Sequence, residues 1–392
     1  MQSVDPPERF SLVVGGPFSD ALRRLGLTGS DQLPTPRAAL GLALLAWGIP
    51  ALLVAAQSLL DARYAGWSFF TDLTVYARYL LALGVMIATE RYADGRIILL
   101  TRQFRDARLL PDDSRQAFSD ALVLADRRSS SRLAEAIVLL VAFALSSLTA
   151  HLEIELAGST WLGAVVSGEI VYSWGGQASR FVSNPLFLFL VFRWVWRFVV
   201  WTVLLFRISR LRLQLTPLHP DRAAGLGFLA IYPSIFGGFV FALSCVVASS
   251  MVKEIALARH DPDLVWFAIA GWIAFNLILF LGPLLVFAAP LYAARERGLL
   301  EYGRLAAHHH LAFHRKWIDG ARDGGEMLGT TDPSSAADLD ATVQAVLDMR
   351  FAPIDLPAVL QLVVASGIPM IGVVLTQIPL AELLKMIAGT IL

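Results

Sequence analysis

Long uninterrupted runs of apolar residues are the main pattern of this chain. Seven runs reach the roughly 20 residues that a helix needs to cross the hydrocarbon core of a bilayer. They lie near residues 38–60, 71–89, 133–152, 185–206, 225–251, 264–293 and 357–377. The runs lack the period-two alternation of apolar and polar residues that marks the strands of a membrane β-barrel. The pattern therefore predicts an all-α, polytopic membrane protein with about seven transmembrane helices.

The last segment, from residue 378 to residue 392, is also apolar but contains Glu382 and Lys385. Two interpretations of this segment stay open. It forms either an amphipathic helix at the membrane interface or a short eighth span, and only the second places the C-terminus in the cytoplasm.

Arginine and lysine are distributed unevenly among the segments that join the apolar runs. Segments 1–37, 90–132, 207–224 and 294–356 contain 24 of these residues. The opposite set of segments contains four, namely Arg63, Arg180, Lys253 and Arg259. Short loops rich in arginine and lysine stay on the cytoplasmic side of the membrane. The bias predicts that the N-terminus and the four basic segments are cytoplasmic.

The amino-acid composition indicates that this is a bacterial membrane protein. Charged residues make up 16% of the chain, whereas a soluble domain has about a quarter. Of the 32 basic residues 29 are arginines, and alanine is abundant, which is typical of a GC-rich bacterial genome and indicates the inner membrane. The formal net charge is zero, which argues against a nucleic-acid partner. Cys245 is the single cysteine, so a disulfide within the chain is excluded.

The runs divide the chain into four parts. Residues 1–37 form a cytoplasmic N-terminal segment, and residues 38–293 form a six-span membrane domain with cytoplasmic helices at 90–132. Residues 294–356 form a second cytoplasmic helical segment, in which Ser335 and Asp338 have capping-box spacing, and residues 357–392 complete the chain. These cytoplasmic parts are small for a catalytic domain. The common phosphate-binding, serine-hydrolase and zinc-protease motifs are missing, so no cofactor is predicted and an enzyme is disfavoured but not excluded.

Several phrases of the sequence occur together in a recognisable way. They are Asp72–Leu83, Ile87–Glu90, Phe192–Arg197, Met327–Asp332 with Ala337–Leu339, and His219-Pro220-Asp221-Arg222 followed by Gly225-Leu226-Gly227-Phe228-Leu229. Together they resemble a family of uncharacterised bacterial multi-pass inner-membrane proteins, and the phrase that begins at His219 is the most specific part. The resemblance covers most of the chain. It implies a helical membrane fold and implies no activity.

Three arginines, Arg78, Arg193 and Arg197, lie inside apolar runs. A charged side chain at the centre of a bilayer costs about 2.5–3.5 kcal/mol on insertion scales, so such residues are usually paired or functional. If the second span enters near residue 71 and the fourth near residue 185, Arg78 and Arg193 have the same depth, about 10–12 Å. Arg197 lies one turn deeper, on the same face as Arg193.

The acidic partners available to these arginines are few. Asp72 is expected near the outer end of the second span, whereas Glu90 and Glu135 are expected near the cytoplasmic end, where Glu135 is within reach of Arg197. Asn276 adds a polar group in the middle of the sixth run. One interpretation is a pathway for an anionic solute lined by Arg78, Arg193 and Asn276. The other is a structural network in which carboxylates and backbone carbonyls compensate the arginines.

Proline and glycine interrupt three of the runs. Pro233 precedes two glycines in the fifth, Gly282 and Pro283 lie in the sixth, and Pro369 lies in the seventh. Transporters use broken helices at such positions for binding, although both residues are common in ordinary membrane helices.

Two short motifs on the cytoplasmic side carry candidate chemistry. His219, Asp221 and Arg222 precede the fifth span, where Asp221 is placed to cap the helix; a cytoplasmic gate or a proton site is the alternative role. His310 and His314 share one face of a helix with the spacing of metal ligands. Surface histidines on an amphipathic helix are the more ordinary interpretation.

These observations lead to two functional hypotheses. The first is a channel or transporter for an anionic solute, with Arg78 and Arg193 in its pathway. The second is a non-transporting scaffold or regulatory subunit that binds a protein partner or anionic lipid through its arginine-rich cytoplasmic face. Either protein contacts the lipid bilayer, and either is compatible with a homo-oligomer. A lipid-modifying enzyme is a poorer third option, because no pair of nucleophile and base stands out.

Overall fold

The structure is a computed structural model that describes residues 10–61, 66–256, 262–319 and 330–377. It is 79% helical, and the described part contains seven helical segments that are long and apolar enough to cross a membrane. These spans are Pro36–Leu60, Leu73–Asp106, Asp112–Ala157, Trp174–Ser209, Gly227–Ala256, Leu264–Asp319 and Leu356–Gln377. The chain is therefore an all-α, multi-pass membrane protein. Glu382 and Lys385 lie outside the described residues, so the question of an eighth span stays open.

The helices follow one another with short connections. They are α1 Gly16–Arg24, α2 Pro36–Leu60, α3 Ser68–Thr71, α4 Leu73–Val75, α5 Leu83–Ala88, α6 Glu90–Asp106, α7 Asp112–Ser129, α8 Arg132–Ala157, α9 Trp174–Ala178, α10 Asn184–Ser209, α11 Pro233–Ala256, α12 Pro262–Leu281, α13 Ala288–His314, α14 Asp332–Leu347 and α15 Leu356–Gln377. Wider π turns occur at Tyr76–Ala82, Ser179–Ser183 and Arg315–Asp319, and tighter 3₁₀ turns at Gly227–Ile231 and Gly282–Phe287.

Several spans are longer than a bilayer requires, and their extra length forms a helical layer on the side that the arginine distribution assigns to the cytoplasm. In this layer α7 runs antiparallel along the end of α10. Trp196 Nε1 donates to the carbonyl of Arg128 at 3.0 Å, and Ser114 Oγ donates to the carbonyl of Arg212 at 3.0 Å. Apolar residues of α10 such as Trp201 are fully buried.

Contacts between spans place their cytoplasmic ends at one level. Gly84 of α5 lies opposite Ala43 of α2, since a Cβ atom added to the glycine would lie 3.8 Å from the Ala43 Cβ. Glu90 follows Gly84 by six residues, and Arg37 precedes Ala43 by six residues in the antiparallel helix. Equal helical rise therefore brings Glu90 and Arg37 to the same level. The first long apolar helix begins there as well, at Pro36.

The outer side carries a small antiparallel sheet between the third and fourth spans. Its strands are β1 Ser159–Thr160, β2 Gly163–Val166 and β3 Glu169–Tyr172, in the order β1-β2-β3. The fourth span begins directly after β3, at Trp174, whose backbone N–H donates to Gln57 Oε1 at 2.7 Å. The expected start of this span near residue 185 is therefore wrong by about three turns.

The predicted helix breaks have different outcomes. Pro233 begins α11, where its missing N–H costs nothing, and the Gly282–Phe287 turn does interrupt the sixth span. Pro369 lies inside α15, which is continuous. The capping box at Ser335 is wrong, because Ser335 Oγ donates to the Thr331 carbonyl from within α14.

Candidate functional site

The candidate site is a cluster of buried charges where the membrane helices meet the cytoplasmic layer. Arg193 and Arg197 project from one face of α10 and are 4% and 3% exposed. Glu90 is the first residue of α6, and Glu135 lies in the first turn of α8; both are buried. Three different spans therefore bring two arginines and two glutamates together.

The two glutamates compensate the two arginines directly. Glu90 Oε1 accepts hydrogen bonds from Arg193 Nη1 at 2.7 Å and from Arg197 Nη1 at 2.8 Å. Glu135 Oε1 accepts one from Arg193 Nε at 3.2 Å. Charge-assisted bonds of this kind are about twice as strong as neutral ones, and buried charges persist only when they are paired. The positive charge of Arg193 is thus compensated by carboxylates, as the interpretation of a structural network expects.

The N-terminal segment covers this cluster. The carbonyl of Val13 accepts hydrogen bonds from Arg193 Nη2 at 3.3 Å and from Arg197 Nη2 at 3.2 Å. Ser19 Oγ accepts a further bond from Arg193 Nη2 at 3.1 Å. The Phe18 ring lies 5.0 Å from the Arg193 guanidinium carbon, a cation–π distance. Residues before and within α1 therefore join the buried network that begins in the fourth span.

The start of α1 is shaped to fit Glu135. The backbone N–H of Phe18 donates to Glu135 Oε2 at 2.9 Å, and Gly16 has a φ of +83°. A Cβ atom at Gly16 would lie 2.5 Å from Glu135 Oε1, which is closer than two non-bonded heavy atoms approach each other. A side chain at position 16 would therefore push the Glu135 carboxylate away from the Phe18 N–H and the Arg193 Nε that hold it, and the positive φ adds a backbone preference for glycine.

Sequence reasoning missed the role of residues 10–24. A signal was present in the apolar residues Phe10, Leu12 and Val13, which are buried although they belong to a polar segment, and in the turn sequence Gly15-Gly16-Pro17. Ser11 also donates to Asp94 of α6, a buried carboxylate. Neither pattern indicates which part of the bundle the segment contacts.

The expected common depth of Arg78 and Arg193 is wrong. Arg193 lies nineteen residues after the outer start of its span at Trp174, which is about 28 Å of helix, whereas Arg78 lies five residues after Leu73, about 8 Å. Arg193 therefore lies near the cytoplasmic end of the bundle, within reach of Glu90 and Glu135. Arg78 lies near the outer end.

Arg78 lines a separate polar cavity of about 20 Å³ near the outer surface. Asp72 also lines it, but its carboxylate binds Lys253 Nζ at 2.9 Å and not Arg78. The same Nζ contacts Glu153 Oε1 at 2.9 Å. Among the described residues, Arg78 forms no ion pair. A cavity of this size holds about one water molecule.

Asn276, the third predicted member of the pathway, lies apart from the arginines. Its Nδ2 donates to the carbonyl of Trp272, four residues earlier in α12, at 2.8 Å. This bond satisfies the buried amide within its own helix.

The motif at His219 forms a compact loop before the fifth span. Asp221 Oδ1 accepts from the N–H groups of Ala223 at 2.8 Å and Gly225 at 3.1 Å, and Oδ2 accepts from Gly227 at 2.7 Å. His219 Nδ1 lies 2.8 Å from Asp221 Oδ1. Burial raises the pKa of Asp221, but these hydrogen bonds outweigh it and hold the pKa below its usual value near 3.8. The carboxylate therefore caps the turn that opens the fifth span.

The neighbouring Arg222 has a φ of +55°, and its carbonyl accepts the N–H of Arg350 at 2.7 Å. The loop is thereby joined to the chain just before the seventh span. These contacts are those of a structural cap, and a role of this loop as a gate stays a prediction.

The histidines of α13 contact different aspartates. His310 Nε2 lies 2.8 Å from Asp340 Oδ1, and His314 Nδ1 lies 3.4 Å from Asp319 Oδ2. Within the described ranges, no three metal-binding side chains lie together.

Comparison with protein-family models, with curated proteins and with solved structures finds no match for this chain.

Proposed function

We propose that this protein is a non-transporting scaffold of the bacterial inner membrane that binds anionic lipid at its cytoplasmic face. The observation that carries the proposal is the compensation of Arg193 and Arg197. Arg193 is one of the two arginines on which the hypothesis of an anion pathway depends, and both Arg193 and Arg197 donate to Glu90 beneath the covering Val13 carbonyl. A paired and covered cluster holds helices together and offers no free positive charge to a solute.

Several arginines at the cytoplasmic ends of the spans remain free for a ligand. We call Arg24, Arg37, Arg127 and Arg132 the arginine belt; all four are exposed. Within the described part of the chain, none of them forms an ion pair. Arginines near an anionic membrane surface gain about 1 kcal/mol each. Arg37 lies at the level of Glu90, where the first long apolar helix begins, which supports a position of this arginine near the membrane boundary.

The test compares anionic with zwitterionic lipid. We expect added phosphatidylglycerol to raise the thermal unfolding midpoint of the detergent-purified protein more than phosphatidylcholine does, and about 0.5 M salt to reduce the difference because it screens exposed charges. The triple variant Arg24→Gln, Arg37→Gln and Arg127→Gln should lose most of the difference. Arg304→Gln is the matched control, since Arg304 is exposed on α13, 40 residues after the start of the sixth span at Leu264, and so beyond the roughly 20 residues that cross the hydrocarbon core. An unchanged difference in the triple variant would contradict the proposal.

A second candidate function rests on Arg78. This arginine lines a polar cavity near the outer surface without an ion pair among the described residues, which is the arrangement of an anion-binding residue in a transporter. Proteoliposomes distinguish the two functions. If the protein is a scaffold, proteoliposomes should show the same chloride and phosphate flux as empty liposomes. A flux in the wild type that the Arg78→Gln variant abolishes would contradict the scaffold and support a transporter.

A further inference from the structure

A wide groove runs along the lipid-facing surface between α8 and the fourth span. Its volume is about 530 Å³. Leu139 and Phe143 of α8 form one wall, and Phe181 and Phe189 of the fourth span form the other. Leu139, Phe143 and Phe181 are 44%, 38% and 50% exposed, which is typical of a surface that contacts acyl chains.

The groove has the length of one membrane leaflet. It extends along α8 from Arg132 to Phe143, a distance of eleven residues or about 16 Å. Half of the hydrocarbon core of a bilayer is about 15 Å thick. The groove therefore spans the cytoplasmic leaflet from its headgroup level to the middle of the bilayer.

The two ends of the groove differ in charge. Arg132 lies at the cytoplasmic end, is exposed, and forms no ion pair within the part of the chain that the structure describes. Glu135 lies next to it, but its carboxylate already accepts bonds from the Phe18 N–H and from Arg193 Nε. The end that meets the headgroups thus offers one uncompensated positive charge, and the remaining walls are apolar.

We infer that this groove binds one anionic phospholipid of the cytoplasmic leaflet, with its phosphate on Arg132 and an acyl chain between Leu139 and Phe189. The inference rests on the proposed function and names a single site within it.

The experiment is native mass spectrometry of the full chain, purified in mild detergent and incubated with phosphatidylglycerol or phosphatidylcholine as the probe. We expect one retained phosphatidylglycerol and about tenfold weaker retention of phosphatidylcholine. Arg132→Gln should weaken the retention of phosphatidylglycerol about tenfold. Ala136→Phe and Leu139→Trp fill the groove from its wall and should abolish retention of both lipids.

The matched control is Leu140→Trp, because Leu140 is 70% exposed on the same helix and does not line the groove. Equal retention in the Leu139→Trp and Leu140→Trp variants would overturn the inference, and so would equal retention of the two lipids by the wild type. A second protein that is lost only from the groove-filling variants would also overturn it. Should one filled variant fail to fold, as judged by its helical content, the other still tests the groove.

The belt variant separates this inference from the proposed function. The triple variant Arg24→Gln, Arg37→Gln and Arg127→Gln leaves Arg132 and the groove intact, so it should still retain one phosphatidylglycerol. If phosphatidylglycerol is retained but the triple variant does not change the lipid effect on the unfolding midpoint, only the proposed function is contradicted. If the triple variant changes that effect but the wild type retains no phosphatidylglycerol, only the lipid site in the groove is contradicted.

Discussion

Two regions of the bundle contain arginines inside apolar helices, and their environments are opposite. At the cytoplasmic end, Arg193 and Arg197 are buried, paired with Glu90, and covered by the Val13 carbonyl. At the outer end, Arg78 is half-buried beside a small cavity, and the neighbouring Asp72 is bound to Lys253. An arginine in an apolar run is therefore a poor indicator of function until its carboxylate partners are known.

The largest expected effect comes from Glu90, which serves both arginines of the inner cluster. Glu90→Gln leaves buried positive charge without its main partner, and we expect a loss of about 3–5 kcal/mol in the free energy of unfolding. SDS-induced unfolding in mixed micelles measures it. Glu153→Gln is the control at the outer end, where the carboxylate is one-third exposed and the loss should be far smaller. Equal losses would remove the distinction between the two regions.

The next effect concerns the N-terminal cover of the inner cluster. Gly16 and Gly26 both have positive φ, but a Cβ at Gly16 would contact Glu135, whereas nothing lies within 4 Å of one at Gly26. Both alanine variants lose about 1–2 kcal/mol of stability through the backbone conformation, and Gly16→Ala should lose about 1–3 kcal/mol more.

Hydrogen–deuterium exchange measures the loss of stability in the N-terminal segment that covers the inner cluster. Amides of residues 10–24 should exchange faster in Gly16→Ala and at the wild-type rate in Gly26→Ala. Equal exchange in the two variants would mean that the contact with Glu135 does not hold the segment in place.

Asp221 lies outside the membrane and can be compared with the glutamates of the inner cluster. Its carboxylate is compensated by backbone N–H groups instead of arginines. Because the folded pKa lies below the usual value, the carboxylate stabilises the fold above pH about 4, and this contribution is lost as the pH falls through the lower folded pKa. Asp221→Asn should cost about 1–3 kcal/mol at neutral pH. Its deficit in unfolding midpoint relative to the wild type should shrink below pH about 4; a constant deficit would exclude the charge as its cause.

The smallest expected effect is that of Arg78→Gln, which removes a charge with no ion pair among the described residues. We expect a change below about 1 kcal/mol in the free energy of unfolding, against about 3–5 kcal/mol for Arg193→Gln, which leaves Glu135 uncompensated. A loss at Arg78 as large as at Arg193 would show that the outer arginine is equally embedded in the fold.

Much of the fold was predictable from local patterns. The seven apolar runs coincide with seven helical segments, and only their ends differ, as at Trp174, where a β-strand gives way directly to the fourth span. Within the candidate site, the residue types Arg193, Arg197, Glu90 and Glu135 were recognised, but their pairing was not. The reason is that a shift of eleven residues in the start of one helix moves Arg193 by about 16 Å along the membrane normal.

The sequence alone determined the solvent and the seven long apolar spans, and it predicts their orientation, because hydropathy and the positions of arginines are properties of short segments. Only the tertiary structure decided which charges compensate one another. Glu90 and Arg193 are 103 residues apart, and Val13 and Arg193 are 180 residues apart. Contacts over such separations depend on how several helices pack together, and no local pattern encodes them.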